Sequence, residues 1–216
     1  MGVAELDNEN RQLILTANLF FYGDAAGKVL STQIANDIQL HWNEPQAGVL
    51  ISGARFKVTF VIYGVHAPFL QPKDIYENDN PCNNYFRIEA FSNIDISFVD
   101  GIGSNTGYFK LDNLLHNSTT AAHEFGHTIG LIHPHLLDIR GMGIPGIMYP
   151  RGTIVDPTFQ YDLTAAPATQ GGTINPVFRK VVQQDIDDLR LNKLIFNKNN
   201  KAVVGEFSSI WHDKHI

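Results

Sequence analysis

The segment from His123 to His133, which reads HEFGHTIGLIH, constrains the fold of this chain more than any other feature of its sequence. On an α-helix, residues four apart project from the same face, so His123 and His127 lie side by side only if this segment is helical. Gly130 carries no Cβ and tolerates a positive φ, which allows it to end the helix and reverse the chain. The segment therefore predicts a helix that begins near Ser118–Thr120 and ends at Gly130, followed by a turn that brings His133 back toward the other two histidines.

Three imidazoles at this spacing predict a zinc site. Neutral imidazole nitrogens bind Zn²⁺ in tetrahedral geometry, and three protein ligands leave the fourth position open, as in catalytic rather than structural zinc sites. Glu124, one residue after the first histidine, is placed to reach a water at that position rather than the metal, as a general base requires. His135 is an alternative third ligand, but it lies beyond Pro134 and the spacing favours His133. We therefore predict one catalytic Zn²⁺ held by His123, His127 and His133.

Together with a methionine further along the chain, this pattern resembles the signature of the metzincin zinc endopeptidases. Gly146–Pro150 reads GIMYP and is similar to the methionine turn of that family, so the resemblance implies that Met148 lies beneath the histidines as a hydrophobic floor and not as a ligand. The Met-Tyr-Pro order and the segment Gln184–Asp187 are most similar to the matrixin branch. Pro150 stands where the astacin and serralysin branches carry a zinc-binding tyrosine, so no tyrosine ligand is expected. The resemblance covers roughly residues 12–192.

The resemblance implies a zinc-dependent endopeptidase that acts on protein or peptide substrates. Glu124 is then the general base of the hydrolysis, while Gly130 and Met148 support the site. A substrate would lie extended along an exposed strand edge, which we expect within residues 94–110. The alternative is a metzincin-fold toxin or binding module with weak peptidase activity, or a hydrolase of another amide bond. The presence of Glu124 argues against a vestigial site.

Some features depart from the matrixin pattern. Gly152 stands where that branch carries a tyrosine in the wall of its specificity pocket, so the family's substrate preference does not carry over. The inhibitory cysteine motif is absent, and Cys82, the single cysteine, is interpreted as a loop thiol rather than a zinc switch. A calcium site is unsupported, because the candidate carboxylates are scattered and typical of turns and caps: Asp95, Asp100 and Asp112.

The hydrophobic pattern predicts an α+β fold in a single domain spanning residues 1–216. Apolar residues every four positions from Leu30 to Trp42 indicate an amphipathic helix packed on a sheet. Apolar runs predict strands at 13–22, 49–51, 56–62, 86–90, 94–98 and 108–111, with a loop at 64–84. We expect a metzincin-like fold, in which a twisted mixed sheet with a backing helix and an active-site helix (12–130) lies above a small irregular C-terminal subdomain. That subdomain (131–192) carries the methionine turn and a helix at 181–191, and a tail (193–216) forms a hairpin around Asn197–Asn200.

The charge balance argues against nucleic acid as a partner. Sixteen basic and 22 acidic residues give a net charge of −6, and no run of Lys or Arg follows the pattern of a phosphate-binding stretch. No apolar run reaches the roughly 18 residues of a membrane span, and the start of the chain lacks the pattern of a secretory signal. A single cysteine excludes an intrachain disulfide, so cysteine content does not indicate whether the protein is secreted or cytosolic. We expect a module exported as part of a larger precursor, with flanking domains or an inhibitor protein as partners.

Overall fold

In the computed structural model, which describes residues 1–216, eight strands form one mixed sheet. The strands are β1 (Gly2–Asp7), β2 (Gln12–Tyr22), β3 (Gly48–Ile51), β4 (Ala54–His66), β5 (Asn83–Glu89), β6 (Phe98–Val99), β7 (Thr106–Lys110) and β8 (Lys201–Val204). Their order is β3-β4-β2-β5-β7-β6, and β4, β2, β5 and β7 run parallel to one another. β3 and β6 are antiparallel to their neighbours at the two ends. The predicted α+β class with a mixed sheet is confirmed.

The helices are α1 (Lys28–Asn43), α2 (Pro72–Tyr76), α3 (Thr120–Thr128) and α4 (Gln183–Asp188). The predicted apolar stripe of α1 is the face that packs against the sheet, since Ile34, Ile38 and Trp42 are buried in the main core. The Trp42 ring centroid lies 5.1 Å from that of Phe60 on β4 and 5.9 Å from that of Phe125 on α3. Trp42 Nε1 also donates to the carbonyl of Ala122 at 3.0 Å. This tryptophan therefore ties α3 to the sheet and fixes its position.

The helix predicted from the histidine spacing is present as α3. The Ser118 hydroxyl accepts a hydrogen bond from the backbone N–H of Thr120 at 3.1 Å, which satisfies one free donor at the start of the helix. At the other end, Gly130 has a φ of +103°, a value that favours glycine. The backbone N–H of Gly103, in the loop between β6 and β7, donates to the carbonyl of His127 at 2.7 Å. Both ends of α3 are thereby held, and eight of its nine residues, Glu124 among them, are buried.

Three predicted elements are wrong in extent. The alternating segment 94–98 forms a strand only at Phe98–Val99, because Asp95 has a φ of +57° and the residues before it lack a partner strand. Ile94 and Ile96 are consequently exposed. The helix expected at 181–191 is limited to α4, since Arg190 takes a left-handed φ of +50°. The predicted loop 64–84 contains the end of β4 and the short helix α2.

The two ends of the chain form strands that pair with each other, a pairing that the local sequence pattern did not predict. A turn at Asn197–Asn200 is present, with the backbone N–H of Asn200 donating to the carbonyl of Asn197 at 2.9 Å. The strand that follows, β8, pairs with β1 and not with the residues before the turn, so the hairpin prediction is wrong. β1 in turn pairs with the first half of β2. None of the helices is long and apolar enough to cross a membrane.

Residues 131–192, the lower segment, have little regular structure apart from α4 and short 3-10 turns. Their own apolar cluster consists of only three fully buried side chains, from Ile139, Val155 and Ile174. The irregular lower part predicted from the Pro, Gly and Thr content is thus observed in this segment.

Candidate metal centre

Three histidines converge at the end of α3. Nε2 of His133 lies 3.0 Å from Nε2 of His123 and 3.1 Å from Nε2 of His127. Tetrahedral ligands at about 2.05 Å from a Zn²⁺ ion are separated by about 3.3 Å, which is close to these spacings. These are the three His, Cys, Asp or Glu side chains of the chain that lie close enough together to hold a metal ion. The structure therefore contains a possible metal site at the predicted residues.

Backbone carbonyls orient the first two rings. Nδ1 of His123 donates to the carbonyl of Ile147 at 2.7 Å, and Nδ1 of His127 donates to the carbonyl of Leu131 at the same distance. Because the proton of each neutral ring is on Nδ1, its Nε2 lone pair points into the cluster, as a metal ligand requires. Burial lowers the pKa of both side chains, and for His123 the charge of Arg179 lowers it further. Both imidazoles are thus neutral at neutral pH and available to a cation.

The turn after α3 selects the third ligand. The backbone N–H of Leu131 donates to the carbonyl of Gly126 at 2.9 Å, which closes the turn that Gly130 permits. This reversal brings His133 over the end of the helix. His135 is exposed and lies outside the cluster, so between the two candidates the structure places His133 at the site.

Glu124 lies beside the first ligand and is 8% exposed. Burial raises the pKa of its carboxyl group to about 8, although the positive charge of Arg179 and the backbone N–H of Val99 act in the opposite direction. Val99 belongs to β6, so the carboxyl group faces the edge strand of the sheet. A carboxyl group with a pKa near neutrality can both accept and return a proton at physiological pH.

Met148 packs under α3 between the two helical ligands. A Cβ at Gly126 would lie 2.3 Å from Sδ of Met148, so the close approach of the methionine requires glycine at this helical position. The preceding residue, Ile147, supplies the carbonyl that orients His123. The structure places Met148 at the base of the histidine helix, where the resemblance expects it.

Two residues that support the site were not singled out from the sequence. The carboxylate of Asp185 accepts from the backbone N–H of Val182 at 2.8 Å and also from that of Ile147, which joins the first turn of α4 to the methionine turn. Burial raises the pKa of Asp185 to about 6. Asp185 lies within Gln184–Asp187, so the similarity of that segment to the matrixin branch is the signal that could have identified it. Arg179 is buried against His123, and no local pattern marks it, because it lies in the irregular lower segment.

The remaining candidates are dispersed. Asp95 pairs with Lys110, Asp100 accepts from His212 at 2.9 Å, and Asp112 lies in a 3-10 turn, so the three carboxylates do not form a common site. Cys82 lies beside Val3 of the first strand and away from the histidines, and burial raises the pKa of its thiol.

The donor set fits a metal ion such as Zn²⁺, since three imidazole nitrogens, two of them with tautomers fixed by backbone carbonyls, leave room for one further ligand. The chain matches no model of a known protein family, and no curated protein matches its sequence. The geometry of the residues is therefore the basis for assigning a function.

Proposed function

We propose that this protein is a zinc-dependent endopeptidase with a metzincin-like fold, closest to the matrixin branch. One observation carries the proposal: the Nε2 atoms of three histidines converge at the end of the helix that also carries the buried carboxyl group of Glu124. A structural metal site needs neither an open fourth position nor an acid beside it. A hydrolytic site needs both.

The sheet provides support for a peptide substrate. β6 is the last strand on its side of the sheet and pairs only with β7, so no strand covers its outer edge. It belongs to the segment 94–110 in which we expected the substrate-binding edge. An extended peptide that pairs with β6 would place its backbone above α3 and beside Glu124. This arrangement is typical of a protease that binds its substrate as an additional strand.

The residues of this chain divide the reaction between them. Bound zinc would supply Lewis acidity and lower the pKa of a water molecule at the fourth position. His123, His127 and His133 would hold the ion. Glu124 takes the proton of the attacking water on a carboxylate oxygen and returns it to the nitrogen of the leaving amine. Burial keeps bulk water from exchanging that proton during the reaction.

The test compares the wild-type protein with Glu124→Ala on unfolded casein, with and without phenanthroline. We expect the wild-type protein to carry one zinc per chain and to lose activity with the chelator. Glu124→Ala removes a proton acceptor but no metal ligand, so it should retain zinc and lose activity by about 10² to 10⁴. A zinc-free wild-type protein, or full activity in Glu124→Ala, would show that the proposal is wrong.

A further inference from the structure

Arg179 is a buried cation without a carboxylate partner. Arg179 is only 3% exposed, yet none of the ion pairs in the structure includes it. By contrast, the half-buried Arg87 is 2.5 Å from the carboxylate of Glu89. Buried charges are normally paired, because an unpaired ion loses its hydration without compensation. Glu124 is not a substitute partner. Its charge acts on Arg179 only from beyond ion-pair distance, and its carboxyl group has to be protonated during part of the proposed reaction.

The guanidinium group has one nitrogen left for a ligand. Nε donates to the hydroxyl of Thr119 at 3.0 Å, and Nη1 donates to the carbonyl of Tyr149 at 3.0 Å while lying 3.0 Å from Nδ1 of His123. Nη2 donates to no acceptor in the protein. Three side-chain polar atoms of the protein are buried without a partner, and Nη2 is not one of them, so it is accessible from solvent. The guanidinium group behind the proposed metal ligand His123 is therefore fixed through Nε and Nη1, and its Nη2 is free to bind a ligand.

A second cation adds to the positive charge of this wall. Arg151 follows the methionine turn. Burial, and after it the positive charge of Arg151, lower the pKa of Arg179 to about 10. Arg151 has no ionic partner either, and its nearest polar contact is the side-chain oxygen of Asn113 at 3.4 Å. The chain as a whole has a net charge of −6, so two arginines without ionic partners, one of them in contact with His123, form a local exception. Such a wall attracts an anionic group.

We propose that Arg179 is a specificity-determining residue that binds a carboxylate of the substrate next to the scissile bond. This inference rests on the proposed peptidase function and names its substrate class. The free Nη2 can donate to a carboxylate oxygen, and hydrogen bonds between two charged groups are stronger than neutral ones. The carboxylate comes either from an Asp or Glu side chain within the peptide or from the free C-terminus of the peptide.

The experiment first profiles cleavage with a library of internally quenched peptides and then uses matched sets. Each set carries Glu, Gln or Leu at one position next to the scissile bond, with the C-terminus either free or amidated. For the wild-type protein we expect kcat/KM to be about 10-fold or more higher for a carboxylate than for its amide counterpart. A preference for internal Glu identifies the side chain as the source, and a preference for the free terminus identifies an action near the C-terminus. Equal rates for acid and amide would overturn the proposal.

Variants assign the effect to Arg179. Arg179→Gln should remove the preference for the carboxylate, measured as the ratio of kcat/KM for the Glu peptide to that for the Gln peptide, so that a general loss of rate cancels. Arg151→Gln should lower this ratio less. Arg140→Gln is the matched control, because Arg140 is already paired with Asp138 at 2.6 Å and should not affect the preference. If Arg179→Gln does not fold, Arg179→Lys retains the charge without the planar edge, and its preference should fall well below that of the wild-type protein. An unchanged preference in a folded Arg179 variant would overturn the proposal.

A binding measurement separates this inference from the peptidase function. Fluorescence anisotropy with zinc-loaded Glu124→Ala reports the affinity for the same Glu and Gln peptides without cleavage. Tighter binding of the Glu peptide supports the role of Arg179 even if the wild-type protein hydrolyses none of the peptides, an outcome that would count against the peptidase alone. Cleavage without any acid preference in rate or affinity would count against Arg179 alone.

Discussion

The sheet region, which consists of the strands with α1 and α3, differs from the lower segment in how it is held together. The main core has 31 buried side chains and is built mostly by the sheet region, whereas the separate cluster of the lower segment has three. The lower segment also inserts six side chains into the main core: Leu131, Ile147, Met148, Val181, Ile186 and Leu191. The lower segment nevertheless supplies His133, Met148 and Arg179 to the site. Its position depends on these apolar side chains and on polar contacts to the sheet region, such as the hydrogen bond from Thr119 to the carbonyl of Pro176 at 2.6 Å. We infer that apolar burial dominates the stability of the sheet region, and that the lower segment relies to a greater degree on directional contacts and on the metal.

The largest effect should come from the core of the sheet region. Trp42→Ala removes a fully buried indole and its hydrogen bond to α3, and we expect the free energy of unfolding to fall by about 3–5 kcal/mol. Urea unfolding with and without zinc measures this loss, which should be similar under both conditions. Leu40→Ala, at a position on the same helix that is 70% exposed, is the control and should cost under about 0.5 kcal/mol. A loss for Trp42→Ala that appears only without zinc would contradict the division between the two regions.

The next effect should come from the ligand in the lower segment. His133→Ala removes a metal ligand, so zinc should be lost together with the stabilisation that bound metal provides, about 3 kcal/mol at a free concentration of about 100 times Kd. Metal analysis and thermal unfolding measure both quantities. Amide hydrogen exchange should show the loss mainly in the lower segment. His135→Ala is the matched control and should keep its zinc; the reverse result would make His135 the third ligand.

An effect of comparable size and opposite sign should appear at Glu124, the proposed general base. In the metal-free protein, burial raises the pKa of Glu124 from 4.5 to about 8, so the folded state binds the proton more tightly than the unfolded state. Its contribution to stability is therefore present below pH 4.5 and is lost as the pH rises to about 8. Glu124→Gln does not titrate, so its stability relative to the wild-type protein should rise across this range, by about 4 kcal/mol at pH 8. Urea unfolding in the presence of a chelator at several pH values checks this, and a constant difference would contradict the assigned burial.

The smallest effect should come from the contact between the two regions. Met148→Leu approximately conserves volume, so it should cost under about 1.5 kcal/mol and retain zinc. Gly126→Ala, which introduces a Cβ 2.3 Å from Sδ of Met148, should cost more because the methionine has to move. Thermal unfolding and metal analysis of both variants test the packing. Complete loss of zinc in Met148→Leu would mean that Met148 is more than a floor.

The sequence by itself determined the elements that depend on near neighbours. The stripe of α1 and the extent of α3 follow from helical periodicity, and the reversal at Gly130 follows from the freedom of glycine to adopt a positive φ. The convergence of His123, His127 and His133 follows from the same local rules, because these residues lie within one helix and the turn after it. A local pattern is sufficient where the contacting residues are close in the chain.

Only the tertiary structure decided the features that depend on distant residues. β1 and β8 pair although they lie at opposite ends of the chain, and β6 is short because the residues before it find no partner. Arg179 reaches His123 from the irregular lower segment, where no periodicity marks any position. The physical reason is that pairing partners and buried polar contacts are selected by the packing of the whole chain, so a periodic pattern of apolar residues carries no information about them.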